Sequence, residues 1–68
     1  MKRVRLRKKL DERIQAGHPW VFDQAVEFPA ERPAPGELVL VERQGRPLAI
    51  AYADPDSPIS LRVLTLDV

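Results

Sequence analysis

The sequence has no cysteine, a single histidine and only three glycines among its 68 residues. Without cysteine the chain can form neither a disulfide nor a thiolate metal site, the usual means of stabilising so small a domain. A lone imidazole is poor support for zinc, and the glycines are too widely spaced for a Gly-x-Gly-x-x-Gly cofactor loop. Neither serine, Ser57 or Ser60, lies in a nucleophile elbow. We therefore expect no metal, catalytic residue or cofactor site in this chain.

Long apolar runs are also missing. No stretch approaches the roughly 20 apolar residues that span a bilayer, and no signal-peptide segment follows the basic amino terminus. The chain is therefore expected to be cytoplasmic, with no membrane partner. Its length allows one domain, residues 1–68, which would bury only about 60% of the surface that the unfolded chain exposes.

What the sequence has in excess is positive charge at one end. Seven basic residues precede residue 14, against two acidic ones, although the net charge of the whole chain is only +1. Arg3, Arg5 and Arg7 alternate with Val4 and Leu6, which is the period of a strand with one buried face. The three guanidinium groups would then project from one side at roughly 7 Å intervals. This pattern predicts an anion-binding face, and the alternative is an edge strand whose charges discourage aggregation.

The remaining elements predict a small, mostly antiparallel barrel. A short helix over residues 9–16 would end at Gly17, and the chain would continue extended through residues 18–22. Residues 37–42 and 47–52 predict a hairpin around Gly45, and residues 59–66 predict a final strand. Strands at short intervals with one early helix favour a mainly β (α+β) pseudo-barrel over a helical bundle or a parallel sheet.

The aromatic residues of the extended segment are expected in the core. Trp20 and Phe22 share one side of it and Val21 takes the other. We expect Trp20 to be buried, so that its replacement by alanine would cost about 3–5 kcal/mol. The alternative is that Trp20 forms a base-stacking platform. Arg62 lies among apolar neighbours of the last strand, as either a structural ion-pair partner or a phosphate contact.

Several short motifs are shared with a known family. Pro-Gly-Glu-Leu-Val-Leu-Val at residues 35–41, Gly45, and Leu-Ala-Ile-Ala at residues 48–51 together resemble the PUA domain, an RNA-binding pseudo-barrel. The block Gly-His-Pro-Trp-Val-Phe at residues 17–22 is more specific. With Tyr52, Pro55, Ser57, Ile59 and residues 62–64, it resembles the amino-terminal PUA domain of bacterial S-adenosylmethionine-dependent ribosomal RNA cytosine-C5 methyltransferases.

The resemblance implies an RNA-binding module that positions structured ribosomal RNA for an attached methyltransferase domain. It implies that the chain is the amino-terminal part of a longer polypeptide, whose carboxy-terminal domain would hold S-adenosylmethionine and the catalytic cysteines. This chain alone would not be an enzyme. PUA domains place nucleic acid against the first helix, the loop and strand after it, and the last strand, so His18 would either pack beside Pro19 or contact RNA. The expected RNA-binding residues are Arg3, Arg5, Arg7, Lys8, Lys9, Arg13, His18 and Arg62.

Two other functions remain open at this point. One is an SH3-like barrel that binds a partner's extended segment, which would require exposed, contiguous aromatic residues. The other is a purely structural accessory domain, an alternative that the near-neutral net charge leaves open.

Overall fold

The structure is a computed structural model that describes the backbone of residues 1–68 and every side chain except that of Asp11. It contains one short helix and six strands. In chain order these are β1 (Lys2–Leu6), α1 (Asp11–Gln15), β2 (Trp20–Phe22), β3 (Val26–Glu27), β4 (Leu38–Arg43), β5 (Arg46–Ala53) and β6 (Ile59–Thr65). A single 3-10 turn, Asp23–Ala25, connects β2 to β3. The mainly β architecture with one early helix is as the sequence predicts.

All six strands belong to one sheet, in the order β2-β6-β5-β4-β1-β3. Every neighbouring pair is antiparallel except β1 and β4, which run parallel. A parallel pair needs a long crossover connection, and here α1, β2 and β3 supply it. The crossover therefore contains the helix and both edge strands of the sheet.

The sheet curls into a nearly closed barrel because its two edge strands are consecutive in the chain. Only Asp23–Ala25 separates β2 at one edge from β3 at the other. The backbone N–H of Asp23 donates to the carbonyl of Pro58, just before β6. The N–H of Arg7, just after β1, donates to the carbonyl of Ala25 over 2.7 Å. The turn thus joins the two edges of the sheet. Because three residues cannot span the width of a flat six-stranded sheet, the sheet must curl.

The core is made of small and medium aliphatic side chains on the inner face of the sheet. Three alanines of β5 are completely or almost completely buried, and such small side chains let the opposite walls of a narrow barrel approach closely. Ile14 of α1 is also buried and attaches the helix to the barrel. The buried apolar residues are Val4, Leu6, Ile14, Val21, Ala25, Val26, Val39, Val41, Ala49, Ala51, Ala53 and Leu61.

The helix ends in a Schellman motif, as the position of Gly17 predicts. Gly17 has a φ of 97°, a left-handed conformation that glycine adopts without steric cost. Its N–H donates to the carbonyl of Ile14, and the N–H of His18 donates to the carbonyl of Arg13 over 3.0 Å. This is the hydrogen-bond pair that defines the motif. It fixes the direction in which the chain leaves α1.

The β4–β5 hairpin forms where it was predicted, but its turn requires a positive φ at two residues instead of one. Gly45 has the expected positive φ, and Gln44 before it also has a positive φ, of 52°. Positive φ at both central residues is the geometry of a type I′ turn, which suits the twist of the flanking strands. A glutamine in this conformation is strained relative to asparagine or glycine.

The prediction that Trp20 and Phe22 lie in the core is wrong. Trp20 and Phe22 are 59% and 58% exposed, because the one inward position of the three-residue strand β2 belongs to Val21. Ser60 and Leu61 are both fully buried, although neighbouring residues of a regular strand point to opposite faces. A bulge explains this, since Val21 pairs with Leu61 but Phe22 pairs with Ile59. The buried hydroxyl of Ser60 donates to the carbonyl of Ser57.

Candidate nucleic-acid interface

A groove of about 450 Å³ lies between α1 and β2. Its wall on the helix side includes Leu10, Arg13 and Ile14, and residues 18–22 form the opposite wall. Cations and exposed aromatic rings therefore line a largely apolar cleft. The full lining is Lys8, Leu10, Arg13, Ile14, His18, Pro19, Trp20, Val21, Phe22, Gln24 and Ala25.

Backbone hydrogen bonds hold the β2 wall of this groove. The Schellman motif ends α1 and directs His18 and Pro19 toward β2. The carbonyl of Pro19 then accepts a short hydrogen bond, 2.6 Å, from the N–H of Val63 on β6. The segment that carries the exposed rings is thus attached to the sheet at its start, and Val21 anchors its middle in the core.

Exposed side chains continue from the groove across the outer face of the sheet. Trp20 pairs with Arg62 on β6, Arg62 pairs with Tyr52 on β5, and Tyr52 pairs with Leu38 on β4. All four residues are exposed. Directly opposite residues of an antiparallel pair lie about 4.5–5.5 Å apart at Cβ. The Arg62 side chain therefore starts between a tryptophan and a tyrosine, in what we call the outer row: Leu38, Tyr52, Arg62 and Trp20.

A second concavity lies along β1 and is lined by as many acidic as basic side chains. Arg3 and Arg5 line it together with Lys2, and Glu27, Glu31 and Glu42 line it as well. Arg5 Nε lies 4.0 Å from Oε1 of Glu42, whose side chain is mostly buried. Three carboxylates close to three cations leave little net positive charge to attract phosphate. The arginine row is exposed as predicted, yet its surroundings are close to neutral.

Lys2 forms a structural ion pair at the edge of the same concavity. Its Nζ donates to Oε1 of Glu37 over 3.1 Å and lies 3.8 Å from Oε1 of Glu31. Oε1 of Glu37 also accepts from the backbone N–H of Ala34. The Ala34 N–H and then the Lys2 ammonium hold the pKa of Glu37 below its usual value. These contacts attach the loop before β4 to the amino terminus.

The structure therefore distributes the eight predicted RNA-binding residues over four places. Lys8, Arg13 and His18 line the groove, and Arg62 lies in the outer row beside Trp20. Arg3 and Arg5 line the second concavity. The other two, Arg7 and Lys9, are exposed on the segment that joins β1 to α1 and line neither cavity.

Sequence reasoning assigned the aromatic residues of the interface to the core and kept base stacking by Trp20 only as the alternative. It placed Trp20 and Phe22 on one side of β2 and Val21 on the other, but assigned the wrong side to the core. The available signal was the size of the barrel. A barrel whose inner face carries Ala49, Ala51 and Ala53 has little room for an indole ring.

The structure offers no support for a metal site or a membrane span in the part of the chain that it describes. Among the residues with described side chains, no group of three or more His, Cys, Asp or Glu residues could hold a metal ion. None of the described helical segments has the length and apolar character needed to cross a bilayer.

The fold and the interface together define a small β-barrel domain with a cationic groove and exposed aromatic residues beside its single helix. Comparison with known proteins identifies the family. The chain belongs to the PUA-like domain family, whose model matches residues 4–66.

Three relatives are ribosomal RNA large subunit methyltransferases. The protein from Deinococcus radiodurans is 44% identical over 63 residues, which are 91% of this chain and 15% of that protein. The ribosomal RNA large subunit methyltransferase I of Cronobacter sakazakii is 41% identical over 66 residues, covering 96% of this chain and 17% of the relative. The Tolumonas auensis protein of the same name is 38% identical over 63 residues, 91% of this chain and 16% of its own length. The chain thus spans about one sixth of these relatives.

Proposed function

We propose that this PUA-like domain binds RNA and positions structured ribosomal RNA for a methyltransferase domain of the same polypeptide. The groove between α1 and β2 carries the proposal, because it brings Lys8, Arg13 and His18 to one cleft beside two exposed aromatic rings. The relatives support it, since all three are named as methyltransferases of large-subunit ribosomal RNA. In this proposal residues 1–68 are an amino-terminal RNA-binding domain of a cytoplasmic enzyme.

The cations of the interface would bind backbone phosphates. Arg13 and Arg62 carry planar guanidinium groups, which suit bidentate contact with phosphate, and Lys8 contributes a point charge. Such contacts fix the position and orientation of RNA without reading its sequence. Base selection would then belong to the methyltransferase domain or to the shape of the RNA.

The exposed residues of β1 and of the segment after it would extend this surface. Arg7 and Lys9 follow the strand toward the groove, whereas Arg3 and Arg5 face carboxylates in the second concavity. We therefore assign Arg7 and Lys9 to longer-range attraction of the RNA. Arg3 and Arg5 would contribute less than the groove residues, because Glu27 and Glu42 offset their charge.

Methyl transfer itself would take place outside this chain. The sequence has no cysteine to act as a nucleophile, and Gly17, Gly36 and Gly45 lie in three separate turns rather than in one cofactor loop. The residues present therefore do not fit an S-adenosylmethionine site. Cofactor binding, and the cytosine-C5 chemistry that the resemblance implies, would belong to the remainder of a longer polypeptide.

Salt dependence tests the phosphate contacts. If about four phosphates are engaged, a plot of log affinity against log salt concentration should have a slope of roughly −3. We would titrate the chain against a fluorescently labelled hairpin fragment of large-subunit ribosomal RNA and follow anisotropy at several salt concentrations. Absence of binding at low salt rejects the proposal.

Charge reversal identifies the surface. Combined Lys8→Glu and Arg13→Glu substitutions should weaken binding strongly, and Arg5→Glu with Arg7→Glu should weaken it to a lesser degree. For a control matched in charge, the single variants Arg13→Glu and Arg46→Glu are compared: each makes the same change of charge, but Arg46 lies at the β4–β5 hairpin and lines neither of the two cavities. Equal loss from these two single variants would show that only overall charge matters.

One observation favours a second function, a protein-interaction barrel. Trp20, Phe22 and Tyr52 are exposed, as an SH3-like groove would require, while Phe28 is only partly so. The cations among these rings distinguish the two functions, since a groove for an apolar segment has no need of Lys8, Arg13 and Arg62. A protein ligand would predict binding that depends weakly on salt.

A further inference from the structure

Trp20 and Phe22 are the most exposed aromatic residues of a chain that has only four. They lie two residues apart on the outer side of β2, so their side chains are separated by about 7 Å along the strand. Val21 between them is buried and holds the strand in place. Two large rings thus lie side by side on the same strand. Because both are more than half exposed, they contribute little to the core.

Cationic side chains lie on both sides of these rings. In the groove, Lys8 and Arg13 line the same cleft as Trp20 and Phe22. On the outer face, Arg62 is the direct cross-strand neighbour of Trp20. The combination of aromatic faces with flanking cations is complementary to a nucleic acid strand, whose bases stack on rings while its phosphates meet the charges.

Exposed aromatic rings suit unpaired RNA better than paired RNA. In a duplex the bases are stacked on one another, so a protein meets mainly phosphates and 2′-hydroxyl groups, for which aromatic rings are of little use. Bases of loops, bulges and ends can turn outward and stack on aromatic side chains. The groove volume of about 450 Å³ also falls within the range of about 300–1,000 Å³ typical of small-ligand sites, which suits an individual splayed nucleotide.

We infer that the RNA bound at this groove is unpaired there, and that its bases stack on Trp20 and Phe22. The inference rests on the proposed function and deepens it, because it specifies a single-stranded loop, bulge or end as the part of the RNA that is recognised. Cations would supply affinity for any RNA, and the two rings would supply preference for unpaired bases.

The test uses Trp20, the only tryptophan of the chain, as its own reporter. Two labelled RNAs with equal numbers of nucleotides and phosphates would be compared at one low salt concentration, an unpaired oligonucleotide and a blunt two-strand duplex without loops or overhangs. Anisotropy reports binding, and tryptophan fluorescence reports stacking on the indole. We expect the unpaired RNA to bind about 5- to 150-fold more tightly, the range that one stacked base provides, and to quench Trp20, while the duplex leaves its fluorescence unchanged.

Substitutions separate stacking from charge. Phe22→Ala and Trp20→Ala should each lower affinity for the unpaired RNA about 5-fold or more, with affinity for the duplex and the salt slope unchanged. Leu64→Ala is the matched control, because it removes an exposed apolar side chain of the sheet that does not line the groove. Circular dichroism would establish that each variant is folded. Phe22→Ala retains Trp20, so quenching can still be measured in it.

The outcomes separate this inference from the proposed function. Equal binding of both RNAs with no change in tryptophan fluorescence would overturn stacking and leave RNA binding intact. Failure of both RNAs to bind at low salt would overturn the proposed function and the inference together. Tight binding of the unpaired RNA that quenches Trp20, together with weaker binding of that RNA by each aromatic variant, would support the proposed function and the inference.

Discussion

Leu61 and Leu64 lie on the same strand and are chemically identical, yet the structure predicts opposite consequences for their replacement. Leu61 has no exposed surface, and its cross-strand partners Val21 and Ala53 are also buried. Leu64 is 53% exposed on the outer face. Replacing each by alanine therefore compares a core position with a surface position. The strand, the residue type and the side-chain atoms removed are the same in both variants.

The expected magnitudes follow from burial. Leu61→Ala removes a fully packed side chain and leaves a cavity, which costs about 2–5 kcal/mol. At about 0.05–0.15 kcal/mol per residue, a chain of 68 residues has a free energy of unfolding of about 3–10 kcal/mol. The substitution would thus remove a large part of the stability. Leu64→Ala loses only half-buried surface and leaves no enclosed cavity, so we expect about 1 kcal/mol or less.

Urea unfolding followed by far-ultraviolet circular dichroism measures both values. The midpoint for Leu61→Ala should fall far below that of the parent, and the midpoint for Leu64→Ala should stay close to it. Similar losses for the two variants would refute the assignment of inner and outer faces on β6. That result would also undermine the position of Arg62, because the same alternation places it in the outer row.

Three further predictions concern other parts of the barrel. Trp20→Ala should cost about 1–2 kcal/mol instead of the roughly 3–5 expected of a buried tryptophan, since its ring is more than half exposed; a loss above about 3 kcal/mol in urea unfolding would contradict the exposed position. Gln44→Asn should raise the free energy of unfolding by on the order of 0.5 kcal/mol, because asparagine tolerates the positive φ of the type I′ turn; a lowered thermal midpoint would count against that turn. Glu37 has a lowered pKa, so its ionised form stabilises the fold above the usual value of 4.5, and this contribution disappears as the pH falls through the lowered pKa. The free energy of unfolding measured between pH 6 and pH 3 should therefore fall less steeply in Glu37→Gln than in the parent. Identical slopes would show that the Lys2 and Ala34 contacts do not lower the pKa of Glu37.

Local sequence signals predicted the elements well. Gly17 marked the end of α1, because a left-handed residue closes the Schellman motif there. The hairpin around Gly45 formed as expected, and Val4 and Leu6 alternate with exposed arginines on β1. Each of these features depends on residues that are close together in the chain, so the pattern of residue types was sufficient.

The errors arose where long-range packing decides. A three-residue strand has only one inward position, and nothing local determines whether Val21 or the two aromatic residues take it. The bulge opposite Val21 and Phe22, which buries Ser60, depends on how β2 pairs with β6 across 37 or more residues of chain. The candidate site was affected most, because its cations were expected on the surface whereas its rings were expected in the core, with base stacking by Trp20 only as the alternative.

The sequence by itself determined the period of each strand, the turns, the positive amino terminus and the family resemblance, since all of these depend on residue type and short spacing. Only the tertiary structure decided which side of β2 faces inward. It also decided which cations gather at the groove and which face carboxylates. The physical reason is that a closed barrel has limited internal volume: small aliphatic side chains fill it, and the larger rings remain outside, next to the charges that a single RNA strand would meet.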